Sequence, residues 1–222
     1  MKHQSLARQL FLVLLCLGLC ASSPLAAQNA RKGDAAHQAL RRELIRMRNE
    51  DQKYRDEMAV LMQKLSGPDG EQEMKKFVAV AKKQEAIDKR LMKRLEEIIG
   101  KYGWPTISMV GAEASEVAFL IVQHADLTYK KKYFPLLKQA AAQKEARIDQ
   151  VAMMEDRMLM AEGKKQIYGT TLATDEVTKE LKLWPVENEE EVDARRAAVG
   201  LPPIAEYLKL FGLKYNPPKK NN

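Results

Sequence analysis

Apolar residues recur at alternating spacings of three and four along two long segments in the first half of the chain. Such spacing is typical of amphipathic helices, and it predicts one helix over residues 35–65 and a second over 71–99. Residues 66–70 contain two glycines and a proline, which break the pattern. Because a short connection makes consecutive helices antiparallel neighbours, we expect a helical hairpin.

Polar residues interrupt both apolar stripes. Asp51 lies in the stripe of the first helix, and Gln84 and Asp88 lie in the stripe of the second. A buried carboxylate without a partner is costly, so Asp51 requires either a partner or a raised pKa. Arg55 lies one helical turn further on and Arg157 lies in a later helix, and we expect at least one of them to contact Asp51.

The pattern changes further along the chain. The segment Val117 to Val122 is apolar without interruption, which predicts a helix buried on all sides. After residue 165 the periodicity becomes two, which indicates a β-hairpin near 166–186 with strands over 166–172 and 180–184. The predicted fold is mainly α, an irregular bundle of about six helices with this small two-stranded hairpin. The later helices are expected over 113–125, 128–143 and 148–161, with two more ended by Gly200 and Gly212.

The N-terminal residues resemble an export signal. A positively charged start is followed by a ten-residue apolar run, Leu10 to Leu19, and then by small residues up to Ala27. This order predicts a signal peptide cleaved near Ala27 and a periplasmic or secreted product without a membrane span. A lipoprotein attached through Cys20 is the alternative. The expected organisation is a signal peptide over 1–27, a flexible linker over 28–34, a single helical domain over 35–212 and a disordered tail over 213–222.

Composition narrows the possible chemistry. The formal net charge is +7, but basic and acidic residues interleave, so we expect no nucleic-acid binding. The run Lys130-Lys131-Lys132 indicates a solvated face or a weak contact with an anionic surface. Both cysteines lie in the signal peptide, which leaves the mature chain without thiol chemistry or disulfides. Only His37 and His124 remain as histidines, so a zinc site built on several histidines is excluded, and no motif indicates a cofactor.

Two interpretations fit the polar residues that fall where apolar ones are expected. Each residue alone is consistent with a structural role, such as a satisfied core histidine, a helix cap or a buried ion pair. Alternatively, they converge on one pocket. The candidate catalytic residues are His124, Asp126 and Asp156. The candidate binding residues are Asp51, Gln52, Arg55, Gln123, Arg157, Gln166 and Tyr168.

The same stretches carry a resemblance. The blocks Asp51-Gln52-x-x-Arg55, Gly103-Trp104-Pro105, Gln123-His124-Ala125-Asp126, Asp156-Arg157 and Gly163-Lys164-x-Gln166-x-Tyr168-Gly169-Thr170 resemble, in order, the signature blocks of a bacterial family of unknown function. The last family block continues with glutamine, where this chain has Thr171. The resemblance implies a common fold over about 40–211 and no particular activity.

Two functions remain open at this point. The first is an exported cell-envelope protein, a binding or structural module with a central polar pocket, whose partner is a small anionic ligand or another envelope protein. The second is a metal-independent hydrolase. In that hydrolase His124 carries the proton, Asp126 or Asp156 orients it, and Arg55 or Arg157 holds an anionic group.

Overall fold

The structure is a computed structural model that describes residues 24–65, 67–175 and 180–216. The predicted signal peptide up to residue 23, and the predicted tail from residue 217, lie outside these ranges. Among the helices that the structure describes, none has an apolar stretch long enough to cross a bilayer.

The described residues are mainly helical and include a small two-stranded antiparallel sheet, so the predicted fold class is confirmed. A 3-10 turn over Glu189–Glu191 precedes α8. The helices are α1 (Pro24–Gln52), α2 (Arg55–Lys64), α3 (Gly70–Tyr102), α4 (Ile107–Val110), α5 (Ala112–His124), α6 (Leu127–Ala142), α7 (Ile148–Ala161), α8 (Val192–Ala198) and α9 (Ile204–Lys209). The strands are β1 (Leu172–Thr174) and β2 (Leu181–Leu183).

The chain divides into two compact units, Met1–Ala36 and His37–Asn222. In the first unit the described residues, from Pro24 onward, are helical, and the segment 28–34 expected as a linker belongs to this helix. The second unit contains the remaining elements, including the part of α1 that contributes to the core.

Helix α5 lies at the centre of the main hydrophobic core, as its continuous apolar segment predicts. It contacts α3, α4, α6 and α7, and Val117, Ala118 and Val122 are fully buried. Leu44 of α1 and Leu95 of α3 belong to the same core. Because helices surround α5, its polar C-terminal residue, His124, lies beside the neighbouring elements rather than in open solvent.

The helix predicted over 35–65 is broken, which corrects the sequence-based expectation. Helix α1 ends at Gln52 and α2 begins at Arg55. The side chain of Gln84 occupies the backbone groups at the break: its Nε2 donates to the carbonyl oxygen of Asp51 at 2.8 Å, and its Oε1 accepts from the amide of Tyr54 at 3.2 Å. A polar side chain from α3 thus replaces helical hydrogen bonds that a continuous helix would form.

The predicted hairpin is present, but its first strand is displaced. The ladder pairs Leu172 with Leu183 and Thr174 with Leu181, so β1 starts where the predicted strand 166–172 ends. Residues 167–171 form an irregular loop instead. Their amides do not enter a ladder, because a buried carboxylate from α7 binds several of them.

That carboxylate belongs to Asp156, which is fully buried. It accepts hydrogen bonds from the amides of Ile167, Tyr168 and Thr170 at 2.7–3.2 Å, and from the hydroxyl of Thr170 at 2.9 Å. A single side chain therefore holds the loop against α7. Four donors around a carboxylate satisfy its main acceptor positions, so its burial has hydrogen-bond compensation.

Arginines of α8 bind the same loop from its other side. Arg196 is fully buried and donates to the carbonyls of Tyr168 and Gly169 at 2.7 and 3.2 Å. Gly169 has φ of +68°, and a Cβ there would lie 2.6 Å from Cδ1 of Ile204, so the position requires glycine. Arg195 donates to the carbonyl of Ile167 at 2.9 Å.

A second, smaller hydrophobic cluster forms around Val186, Val192, Ile204 and Leu208. Leu213 and Tyr215, which the sequence analysis assigned to the tail, pack against this cluster. The C-terminal elements and the hairpin are thus joined by polar anchors from Asp156 and Arg196 together with a few apolar side chains.

We predict that Asp156→Ala lowers the free energy of unfolding by more than about 3 kcal/mol, because it leaves several buried amides without an acceptor. Chemical denaturation followed by circular dichroism measures this change. The control is Asp126→Ala, which removes an exposed helix cap and should cost about 1 kcal/mol. Equal losses in the two variants would contradict the anchoring role of Asp156.

Candidate functional site

Helices α1, α2, α3 and α5 bring polar side chains together around Asp51. This residue lies in the last turn of α1, and only 1% of its surface is exposed. Its Oδ1 is 2.9 Å from Nδ1 of His124 and 3.1 Å from Nη2 of Arg55, and its Oδ2 accepts from Gln52 at 2.6 Å. The expected contact between Asp51 and Arg55 is present, and His124 joins the same carboxylate.

Two residues of α3 complete this group. Asp88 Oδ1 accepts from Arg55 Nη2 at 2.8 Å and from Gln84 Nε2 at 2.7 Å. Both residues interrupt the apolar stripe of the second predicted helix, as Asp51 interrupts that of the first. Neither was among the predicted site residues. We call the residues Asp51, Gln52, Arg55, Gln84, Asp88 and His124 the Asp51 network.

The network keeps Asp51 ionised despite its burial. Burial alone would raise the pKa of Asp51, but hydrogen bonds from His124 and Arg55, together with their charges, outweigh it and hold the pKa below the ordinary value of 3.8. An ionised carboxylate only accepts hydrogen bonds, so the proton between the two residues lies on His124 Nδ1.

The second ring nitrogen of His124 is available. Nε2 has no hydrogen-bond partner among the described residues, and it is accessible to solvent. The His124 side chain is 23% exposed. With Nδ1 held by Asp51, the ring has a fixed tautomer and orientation. This is the arrangement in which a carboxylate prepares an imidazole for proton transfer.

His124 and Arg55 line an open cleft of about 410 Å³. We use "the cleft" for the space bounded by Arg55, Met58, Ala81, Gln84, Glu85, Asp88, Lys89, Met92, His124, Ala125, Asp126 and Tyr129. The volume falls within the range of small-molecule sites. The lining of the cleft combines apolar side chains, such as Met58 and Met92, with charged ones, such as Arg55, Asp88 and Lys89.

The charged part of the cleft is acidic on balance. Arg55 forms ion pairs with Asp51 and Asp88, at 3.1 and 2.8 Å. Lys89 is paired with Glu85 at 2.5 Å. Three carboxylates and two cations therefore line the cleft besides His124, and Asp51 adds a fourth carboxylate directly behind it. Neither cation is without an anionic partner.

Two of the remaining candidate residues lie beside His124. Asp126 caps the N-terminus of α6, where its Oδ1 accepts from the amide of Tyr129 at 3.1 Å, and it lines the cleft without touching His124. Gln123 is half-buried, and its Oε1 has no hydrogen-bond partner within the described part of the chain. Asp51, rather than Asp126 or Asp156, is therefore the residue that orients His124.

The other four candidates lie outside the cleft lining. Asp156 and the backbone of Tyr168 belong to the loop described above. Gln166 is fully buried and binds the backbone of Thr171. Its Oε1 accepts from the amide of Thr171 at 2.8 Å, and its Nε2 donates to the carbonyl oxygen of Thr171 at 3.0 Å. Arg157 is exposed and forms no hydrogen bond or ion pair with the described residues. The structure thus separates the candidates into a cleft group and a loop group, with Arg157 in neither.

Lys130 was not recognised from the sequence. It is buried, and its Nζ donates to the carbonyl of Ala125, which lines the cleft. Burial and the nearby charge of Arg157 lower the pKa of Lys130 to about 8, against a smaller opposing effect of Asp126. Its neighbours in sequence are solvated, so only the packing of α6 reveals this amine.

The described residues contain no group of three or more histidine, cysteine, aspartate or glutamate side chains placed to hold a metal ion. The side chains of the cleft offer hydrogen bonding, ion pairing and proton transfer at His124.

We predict that Asp51→Asn destabilises the protein by about 3 kcal/mol at pH 7, because it removes a buried charge that the guanidinium of Arg55 and the Nδ1–H group of His124 bind. The lowered pKa means that the carboxylate stabilises the fold at neutral pH and loses this effect as the pH falls through its folded-state value, below 3.8. The difference in melting temperature between wild type and variant should therefore shrink between about pH 5 and about pH 2.

The control for this experiment is Glu57→Gln, which neutralises an exposed carboxylate on α2. Its melting temperature should follow that of the wild type at every pH. A gap between wild type and Asp51→Asn that stays constant on acidification would show that the ionised form of Asp51 is not the stabilising one.

The comparisons with known proteins provide a family but no activity. No curated protein and no solved structure matches the chain. A family model described as a family of unknown function (DUF6624) matches residues 38–217, which include α2 to α9 and every residue of the Asp51 network. The chain therefore belongs to this family of unknown function.

Proposed function

We propose that this is an exported protein that binds a small polar molecule in the cleft. The observation that carries the proposal is the pairing of buried Asp51 with His124, whose free Nε2 opens into about 410 Å³ of accessible space. Binding sites combine a few oriented polar groups with an apolar wall, and the cleft has both.

A comparison of the two buried aspartates, Asp51 and Asp156, supports a binding role for the Asp51 network over a purely structural one. Asp156 is surrounded by backbone donors and by the hydroxyl of Thr170, and none of the residues that donate to it lines the cleft. Asp51 instead binds the side chains of His124 and Arg55, each 23% exposed and each lining the cleft. Its network thus ends at an accessible surface.

The charges favour a neutral or cationic ligand. The sequence suggests an anionic ligand held by Arg55 or Arg157. Such a ligand requires a free guanidinium, but that of Arg55 is already bound by Asp51 and Asp88. Arg157 lies outside the cleft. An amine or hydroxyl group of a ligand could instead bind to Asp126 or to the Nε2 atom of His124.

Hydrolysis is the second candidate function, and the hydrogen bond of 2.9 Å between Asp51 and His124 favours it. No serine, threonine or cysteine lines the cleft, so water would be the nucleophile. His124 Nε2 would take a proton from water while the oxygen attacks an acyl carbon. The acyl–oxygen bond would then break, and the imidazolium would return the proton to the departing alcohol.

We predict that hexylamine at millimolar concentration shifts the NMR signals of the His124 ring and leaves those of His37 unchanged, whereas hexanoate has a weaker effect. Measured by isothermal titration calorimetry, His124→Ala should bind hexylamine at least about tenfold more weakly, because it lacks an oriented polar contact. His37→Ala is the matched control and should bind like the wild type. If His124→Ala and wild type bind hexylamine equally, the cleft is not the binding site.

The hydrolase candidate has its own readout on the same variants. General-base catalysis contributes about 10²–10⁴-fold, so His124→Ala should lose at least about 10² in the rate of p-nitrophenyl butyrate hydrolysis. Asp51→Asn should lose part of that rate, and His37→Ala should keep it. A wild-type rate no greater than that of His124→Ala excludes this candidate.

The proposed location is the periplasm or the exterior of the cell, after cleavage near Ala27. The charged start, the apolar run and the small residues support this proposal. We predict that the mature protein begins at Gln28. Intact-mass spectrometry of the protein purified from the cells that export it identifies this N-terminal residue. An N-terminus at Met1 would contradict export, and a lipid-modified Cys20 would instead support the lipoprotein alternative.

A further inference from the structure

We infer that the ligand of the cleft is amphipathic, with a polar head at His124 and a hydrocarbon chain that lies along the α2–α3 hairpin. This inference rests on the proposed function, because it extends the same binding site. It is carried by exposed apolar side chains that continue the apolar wall of the cleft towards the tip of the hairpin.

The exposed side chains are Met62 on α2 and Met74 and Val78 on α3, whose exposed fractions are 52%, 45% and 57%. Large apolar side chains with half their surface in water are a cost unless something covers them. Met58 and Ala81 already line the cleft from the same two helices. We call Met58, Met62, Met74, Val78 and Ala81 the apolar strip.

Helical geometry places the members of the strip on one side of the hairpin. Residues separated by three, four or seven positions share a helix face. Met62 follows Met58 by four positions, and Val78 and Met74 precede Ala81 by three and seven. Since Met58 and Ala81 face the cleft, the other three residues extend the same surface away from it.

The strip has the chemistry and the size for a hydrocarbon chain. Methionine is flexible and polarisable, and it is common at surfaces that accommodate varied apolar ligands. Beyond Ala81 the strip extends over seven residues of α3, which is about 10 Å at 1.5 Å per residue. A chain of moderate length would cover it while its head group remains in the cleft.

A protein partner fits this surface less well. A stable protein interface buries about 800 Å² on each partner, more than five apolar side chains provide. The charges along α3 are also paired locally, Glu71 with Lys75 and Glu85 with Lys89, at 2.8 and 2.5 Å. These two carboxylates are therefore already bound and are not free to pair with basic side chains of a partner.

The test compares hexylamine with dodecylamine, used below its micelle concentration, in titrations monitored by the His124 ring signals. Dodecylamine should bind the wild type at least about tenfold more tightly, because its longer chain covers the strip. In Met74→Gln/Val78→Gln this advantage should fall below about threefold, while hexylamine binding stays unchanged. The variant replaces exposed side chains, so we expect it to fold.

The matched control is Val60→Gln. Val60 is 50% exposed and lies only two residues from Met62, but a two-residue separation on a helix directs it to another side of the hairpin. This variant should keep the full preference for dodecylamine. Loss of the preference in the control would overturn the assignment of the chain to the strip.

The possible results separate the two proposals. If hexylamine and dodecylamine bind the wild type with equal affinity, the inference is wrong and the binding function stands. If neither binds, both fail. Sedimentation velocity tests the remaining outcome, in which the wild type and Val60→Gln are dimers and Met74→Gln/Val78→Gln is a monomer. That result would show that a second copy of the chain covers the strip, and it would overturn the inference.

Discussion

The burial of an ionised carboxylate at Asp51 is the constraint on which the candidate site depends. A charge removed from water must be compensated by charges and donors nearby, and this requirement brings together His124 and Arg55. Gln84 meets a related requirement at the backbone, where α1 ends and α2 begins. The orientation of the imidazole follows from the compensation of the charge, and the break between α1 and α2 is stabilised by Gln84.

The chain solves the same problem in two ways. Asp156 is compensated by backbone amides, which orders a loop and joins the C-terminal elements to α7. Asp51 is compensated by side chains that also face the cleft, which gives the charge an influence on any molecule bound there. Two aspartates with similar burial thus have different consequences, because the identity of their donors differs.

Much of the cleft group could be found from the sequence. Asp51 interrupts an apolar stripe, Arg55 follows it by one turn, and His124 ends a helix that is buried on all sides, so each has a local signal. The role of Gln84 had the same signal, but its partners are backbone groups 30 and 33 residues away. The buried amine of Lys130 had no local signal, since its lysine neighbours are solvated.

The sequence alone determined the helical class, the buried α5, the boundaries of α7 and the presence of a hairpin, because helix and strand periodicity is a local property of the chain. It could not decide which buried carboxylate meets which donor. That choice depends on how α3, α5 and α7 pack, and packing set the break after Gln52 and the loop at 167–171. The tertiary structure therefore decided that Asp51 binds side chains that line the cleft and that Asp156 binds the loop. The physical reason is that a buried carboxylate is compensated by whichever donors the packed helices bring within hydrogen-bonding distance.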